Sequence, residues 1–131
     1  MFEIKVRDHL FIAHSLKDDF FGEAKNLHGA TYVIDLIISS EKLNEKNIVM
    51  DIGLASELLK KCISEYNYKN LDEIKKFNDL ITTTEFMAMT LVNDYISELN
   101  KINFDFSHIT SIKMILNESH IASASYVKKL K

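Results

Sequence analysis

The first third of the chain alternates between hydrophobic and polar residues, which is the pattern of half-buried β-strands. Residues 2–14 alternate with one interruption at Asp8, and residues 27–38 are rich in β-branched and aromatic side chains. Both segments predict long strands, separated by a loop over residues 17–26. The residues expected on the buried face of the first strand are Phe2, Ile4, Val6, Leu10, Ile12 and His14.

The hydrophobic period then changes to about 3.6 residues, which indicates two amphipathic helices. The first carries an apolar stripe over residues 54–66. The second begins near Thr82 or Thr83, where Thr82 and Glu85 have the spacing of a capping box. Between the two helices, the sequence predicts an irregular segment over residues 66–80.

Alternation returns over residues 109–118 and 120–128, which predicts two final strands. The order β-β-α-α-β-β predicts an α+β fold in which two helices cover one face of a four-stranded antiparallel sheet. We expect residues 1–131 to form a single domain, because prolines are absent and there are only three glycines. Long strands at the edges of such a sheet lack partners, so homo-oligomerisation is expected.

Composition argues against several classes of protein. A net charge of −3 argues against a nucleic-acid-binding surface, which usually needs a basic stripe. No uncharged run approaches the roughly 20 residues of a membrane-spanning helix, so no membrane association is expected. Cys62 is the only cysteine, which excludes an internal disulfide and favours the reducing cytoplasm.

Six short motifs accompany these predicted elements. They are FIAHSL at residues 11–16, LHGATY at 27–32, VMDIGL at 49–54, YNYKNLDEI at 66–74, TTTE at 82–85 and NES at 117–119. In this order they resemble the motifs F-x-A-A-H-x-L, L-H-G-H-x-Y, V-M-D-F-x-x-L, L-D-H-x-x-L-N, P-T-x-E and x-E-T. Those motifs belong to the 6-pyruvoyltetrahydropterin and 6-carboxytetrahydropterin synthase family, of which the chain resembles a divergent member.

The resemblance implies the tunnelling fold, in which sheets from several subunits close into a barrel. A homo-oligomer built on a trimeric barrel, or a hexamer, would then carry its sites at subunit interfaces. The implied ligand is a small-molecule pterin. Closure of the barrel would also provide partners for the edge strands.

Family members bind zinc through three histidines, and the resemblance assigns two of these positions to His14 and His28. The third position, the second histidine of H-G-H, is Ala30. His120 is a possible replacement, because it follows Glu118 by two residues and shares its predicted face, whereas His9 lies on the opposite face. A histidine on an apolar strand face is also compatible with a hydrogen-bonded core residue, so metal binding and a purely structural role both stay open.

The catalytic positions implied by the resemblance carry other residues here. Ala24 occupies the position of the family cysteine, and Asn67 and Tyr68 occupy the positions of its Asp-His pair. Neither alanine nor asparagine ionises, and tyrosine is a weak base at neutral pH. Glu23 and Tyr68 are the remaining candidates for a different mechanism. Cys62, on the apolar stripe of the first helix, is expected to be a core residue.

The pterin anchor is the best-matched part of the resemblance, with Glu118 at the position of the family's anchoring glutamate and Thr83 at a pocket threonine. Glu118 continues an apolar strand face, so we expect it to be buried and to share a cavity with His14 and His28. Helix capping is the role expected for Thr82 and Thr84.

These features predict a pterin-binding protein with three possible roles. The first is a zinc-dependent lyase on dihydroneopterin triphosphate with an altered catalytic set. The second is a non-catalytic pterin- or purine-binding oligomeric module, and the third is a structural subunit. Pathways to queuosine, tetrahydrobiopterin and folate all use this family, and the sequence does not choose between them.

Overall fold

The computed structural model describes residues 1–131 and contains one sheet with the strand order β3-β1-β2-β4-β5. The predicted α+β class and the β-β-α-α-β-β order are confirmed, with one addition. A two-residue strand, β3, pairs in parallel with the end of β1 at Ile12 and Ala13, so the sheet has five strands rather than four. The strands are β1 (Phe2–His14), β2 (His28–Ser40), β3 (Lys69–Asn70), β4 (Ile109–Ser119) and β5 (Ala122–Lys129).

Two helices, α1 (Ile52–Ser64) and α2 (Thr84–Lys101), pack on one face of the sheet. Asp51 caps α1, and its carboxylate accepts a hydrogen bond from the Leu54 N–H at 2.8 Å. The predicted capping box at Thr82 is wrong by one residue. Thr83 is the N-cap of α2, and its hydroxyl accepts from the Phe86 N–H at 3.1 Å. The Thr82 hydroxyl is hydrogen-bonded to His14 instead.

Both predicted irregular segments contain short 3₁₀ turns. Asp19–Lys25 forms one such segment between β1 and β2, and Leu71–Glu73 and Lys75–Phe77 form two between the helices. Backbone N–H groups in these segments find local partners in the side chains of Asp18 and Asn70. The connections are therefore ordered although they lack a hydrophobic period.

The two faces of the sheet differ in chemistry. Even-numbered residues of β1, β2 and β4 face the helices and form the centre of a core in which Leu10, Ile34 and Leu116 are fully buried. On the opposite face, the Arg7 guanidinium pairs with Asp35 through two hydrogen bonds of 2.6 and 3.0 Å, and Asn117 donates to the same carboxylate at 3.2 Å. The sheet is thus apolar toward the helices and polar on its open face.

Both edges of the sheet are largely unpaired. Residues 2–10 of β1 have no strand partner on the side away from β2, and β5 has no neighbour beyond β4. These edges are available to further strands. Neither helix combines the length and apolarity that crossing a membrane requires.

Candidate functional site

His14 and His28, called the histidine pair below, lie side by side where β1 ends and β2 begins. They are opposite each other in the antiparallel register, with ring centroids 4.7 Å apart and ring planes inclined by 62°. His14 is buried, and its Nδ1 lies 3.0 Å from the hydroxyl of Thr82. The Nδ1–H of His28 donates to the backbone carbonyl of Asn26 at 2.8 Å.

The surroundings of the histidine pair favour a neutral imidazole at His14. Burial lowers the pKa of His14, and the neighbouring His28 lowers it further, while the carboxylate of Asp72 acts in the opposite direction. A neutral imidazole can accept a hydrogen bond or bind a metal ion through its unprotonated nitrogen. The pair is therefore suited to contacting a polar or electrophilic ligand.

Asp72 is a neighbour of the histidine pair that sequence reasoning missed. Its carboxylate accepts from the Ser15 hydroxyl at 2.5 Å and from the Ser15 N–H at 3.3 Å, and it is half-buried. The contact spans 57 residues and belongs to no periodic pattern, so the sequence offers no signal for it. Asp72 supplies a negative charge close to His14.

The donor set does not fit a zinc site within one chain. Catalytic zinc usually needs three protein ligands, and the structure contains no group of three His, Cys, Asp or Glu side chains able to hold a metal ion. Ala30 provides no donor, and the candidate replacement His120 is exposed in the β4–β5 turn. His9 lies on the open face of the sheet, and His108 is bound to the backbone carbonyl of Val49 at 2.7 Å.

Glu118 lies in a bulge near the end of β4, where the register with β5 shifts between Asn117 and Ser119. Bulges re-aim side chains, and the expectation of a buried Glu118 is accordingly wrong, because its side chain is exposed in the single chain. It lines a depression of about 440 Å³ together with Arg7, Thr31, Val33, Asn117, Ser119 and His120.

The depression at Glu118 includes neither member of the histidine pair, so the expected shared cavity is not formed within one chain. Along β2, His28 and Tyr32 are four residues apart, which corresponds to roughly 13 Å. Burial raises the pKa of Tyr32, and the negative charges of Glu118 and Glu85 add to the effect. The start of α2 lies near both the histidine pair and Tyr32, since Thr82 contacts His14 and Thr84 is a hydrogen-bond partner of Tyr32.

The positions that the resemblance assigns to catalysis carry structural contacts. The backbone carbonyl of Ala24 accepts from the Leu16 N–H at 3.0 Å. The Asn67 side chain accepts from the Phe11 N–H at 2.9 Å, and Tyr68 is exposed and stacked on the Phe11 ring.

Glu23 and Cys62 also lie away from a catalytic arrangement. Glu23 is exposed in the 3₁₀ segment between β1 and β2. Burial raises the pKa of Cys62 to about 12, which agrees with its expected role in the core. One chain therefore contains no obvious base beside the histidine pair other than Asp72.

Comparison with solved structures finds the same fold along nearly the full length of the chain. The Plasmodium falciparum 6-pyruvoyl tetrahydropterin synthase is 17% identical, with a TM-score of 0.80 and coverage of 98% of both chains. The Caenorhabditis elegans 6-pyruvoyl tetrahydropterin synthase is 18% identical, with a TM-score of 0.78 and coverage of 99% of this chain and 96% of the other.

A third solved structure is a Plasmodium vivax 6-pyruvoyltetrahydropterin synthase variant in which a catalytic glutamate is replaced by alanine. It is 15% identical, with a TM-score of 0.79 and coverage of 98% of both chains. No curated protein matches the sequence significantly. The family model for 6-pyruvoyl tetrahydropterin synthase matches residues 3–129, nearly the whole chain. The chain therefore belongs to the 6-pyruvoyl tetrahydropterin synthase family.

Proposed function

We propose that this protein binds a pterin, with Glu118 as the anchor of the ring. The observation that carries the proposal is the placement of Glu118 in a strand bulge, where it is exposed and lines an open depression. A pterin presents two adjacent N–H donors on its amidine-like edge, and a carboxylate accepts both in a bidentate arrangement. Thr83, the second residue assigned to the pocket by the resemblance, is the N-cap of α2.

The histidine pair would contact the side chain of the same ligand. The pair lies where β1 ends and β2 begins, whereas Glu118 lies near the end of β4. This separation suits a molecule that places its ring edge at Glu118 and its polar side chain near the imidazoles. The neutral state favoured at His14 allows a hydrogen bond from a hydroxyl group.

Binding without turnover is the function that the residues support best. The family's zinc chemistry needs a third ligand that Ala30 cannot provide, and its proton transfer needs ionisable groups that Ala24 and Asn67 lack. Removing a positioned general base typically lowers a rate by about 10²–10⁴-fold. A non-catalytic pterin-binding module is consistent with all of these replacements.

A second candidate is a lyase that acts on dihydroneopterin triphosphate through an altered set of groups. It is favoured by the Plasmodium vivax enzyme, in which a glutamate is a catalytic residue, because Glu23 lies in the segment that leads into His28. Stoichiometric zinc in protein purified without chelators, together with turnover lost in Glu23→Gln, would support the lyase. Pterin binding with neither zinc nor turnover would support the module.

We further propose that the protein is a homo-oligomer in which the free edges of β1 and β5 pair between subunits, forming a trimer-based barrel or a hexamer. The unpaired edges described above support this arrangement. A single buried cysteine, Cys62, is compatible with a cytoplasmic location. Sedimentation velocity tests the assembly, and a monomer at micromolar concentration would contradict it.

Titration of neopterin into the purified protein tests the anchor. Glu118→Gln removes the charge but keeps the size of the side chain, and charge-assisted hydrogen bonds contribute about 1.5–3 kcal/mol. We therefore expect roughly 10- to 100-fold weaker binding in this variant. The matched control is Glu73→Gln, an exposed carboxylate in a 3₁₀ turn, which should bind like the wild type. Equal affinity in the Glu118 and Glu73 variants would refute the proposal.

A further inference from the structure

The open face of the sheet carries a contiguous patch of aliphatic side chains between its polar groups. Ile115 of β4 lies at the centre of the patch, and its diagonal neighbours on the same face are Val33, Ile37 and Val127. Val127 is 44% exposed, and the other three side chains are half-buried. These four residues, called the aliphatic patch below, expose adjoining apolar groups to water, which marks an interaction surface more often than single exposed residues do.

Three lysines border one end of the aliphatic patch. Lys5 and Lys113 are the direct partners of Ile37 on its two sides. Lys129 follows Val127 on the same face of β5. None of the three lysines forms an ion pair within the chain. Lys113 is half-buried, which makes an unpaired charge more costly there than at a fully exposed position.

The positive charge at this end of the open face is not cancelled locally. The carboxylate on the same face there is Glu3, which accepts a hydrogen bond from the Ser39 hydroxyl at 3.2 Å. Three lysines against one glutamate leave a net positive charge, whereas the whole chain carries a net charge of −3. A second copy stacked face to face would bring the lysines against the same lysines, and like charges repel. The charge therefore favours an anion as the occupant of this surface.

We propose that the aliphatic patch and the lysines beside it bind an unbranched aliphatic monocarboxylate of the medium-chain fatty acid class. The carboxylate lies between Lys5 and Lys113, whose Cα atoms are two strand spacings or about 10 Å apart, so both long side chains can reach one anion. The aliphatic chain extends from Ile37 over Ile115 to Val33. Four residues along β2 separate Ile37 from Val33, which corresponds to roughly 13 Å.

The composition of this surface selects the two halves of the ligand. An anion without an aliphatic chain would pair with the lysines but leave the aliphatic patch exposed to water. A neutral or cationic chain would cover the patch but leave the lysines unpaired. The patch contains no aromatic ring, so it offers no stacking platform for a planar ligand.

This surface is distinct from the pterin anchor proposed above. The depression at Glu118 lies toward the other end of the open face and shares only Val33 with the aliphatic patch. Pairing of the β1 and β5 edges between subunits would join sheets at their edges and would leave this face uncovered. The inference therefore does not depend on pterin binding, and it is compatible with the proposed assembly.

Titration of decanoate into the full-length protein, labelled at its isoleucine methyl groups and observed by NMR, tests the proposal. We expect saturable shifts at Ile37 and Ile115 and none at Ile63, which is buried in α1. Decyltrimethylammonium has the same chain with the opposite charge, and phosphate is an anion without a chain. Neither of these two probes should shift the methyl groups of Ile37 and Ile115.

Lys5→Gln combined with Lys113→Gln removes both charges and keeps side chains of similar length. This double variant should bind decanoate about 5- to 25-fold more weakly, as expected for the loss of two partly exposed ion pairs. The matched control is Lys60→Gln combined with Lys75→Gln, which replaces two exposed lysines outside the sheet and should bind like the wild type.

The proposal is overturned if decanoate causes no saturable shifts at Ile37 and Ile115, or if decyltrimethylammonium or phosphate causes the same shifts. It is also overturned if the Lys5 and Lys113 double variant binds decanoate as tightly as the control. Circular dichroism establishes whether the double variant folds. If it does not, the comparison of the three probes on the wild type decides the question.

Discussion

Replacing Ala30 with histidine should create a zinc site by adding a third imidazole beside the histidine pair. Ala30 follows His28 by two residues on β2 and lies opposite Ile12, so its side chain is on the same face of the sheet as the histidine pair. Side chains directly opposite each other on one face are about 4.5–5.5 Å apart at Cβ, and those two residues apart on a strand are about 7 Å apart. Three imidazoles at these positions can converge on one ion at Zn–N distances of about 2 Å.

The stabilisation expected from zinc binding to Ala30→His is large enough to be measured by thermal unfolding. Zinc at 100 times its dissociation constant stabilises the native state by about 2.7 kcal/mol. For a chain of 131 residues, an unfolding entropy of about 2.1 cal/mol/K per residue amounts to about 0.28 kcal/mol/K in total. The midpoint of thermal unfolding of Ala30→His should therefore rise by about 10 °C on addition of zinc.

Differential scanning calorimetry with and without zinc, combined with metal analysis of the dialysed protein, provides the assay. The matched controls are Ala30→Gln, which adds a polar side chain of similar size, and Ala30→His combined with His14→Ala, which again leaves two histidines. Neither control should respond to zinc. The reasoning is refuted if the wild type shows the same rise and retains stoichiometric zinc, or if folded Ala30→His shows no rise.

Three further predictions concern residues in or near the site. Thr83→Ala should lower the free energy of unfolding by about 1 kcal/mol through loss of the α2 cap, whereas Thr83→Ser should retain it, as urea denaturation can measure. Burial lowers the pKa of His14, so the unfolded chain binds more protons than the folded protein as the pH falls through about 6.5. Stability should thus be fully present above the unfolded pKa of about 6.5 and decline as the pH falls below it, and this decline should be smaller in His14→Gln; an equal decline would contradict it. Cys62 should resist alkylation by iodoacetamide in the folded protein and react on denaturation, because burial raises its pKa to about 12.

The fold was predictable because its periodic elements are long. The alternation in residues 2–14 matches β1 at both ends, since each side chain contributes to a buried or an exposed face. The parallel strand at Lys69 and Asn70 was not predictable, because two residues show no period and pair only through tertiary packing. The cap of α2 was placed one residue early because the sequence does not show that His14 occupies the hydroxyl of Thr82.

The site was predictable only in part. The H-G motif and the strand pattern placed His14 and His28 on one face, and the antiparallel register brings them together as that pattern requires. The exposure of Glu118 was missed because a bulge interrupts the alternation on which its predicted burial rested. Asp72 was missed because its contact with Ser15 joins two irregular segments.

By itself, the sequence determined the faces of the strands and helices, the family and the absence of a third histidine at Ala30, because these follow from side-chain identity and spacing along the chain. The tertiary structure decided which side chains contact one another. It placed the Thr82 hydroxyl and the Asp72 charge near His14, and it stacked Tyr68 on Phe11. These contacts join residues far apart in the chain, and their geometry depends on how the packed core positions the loops.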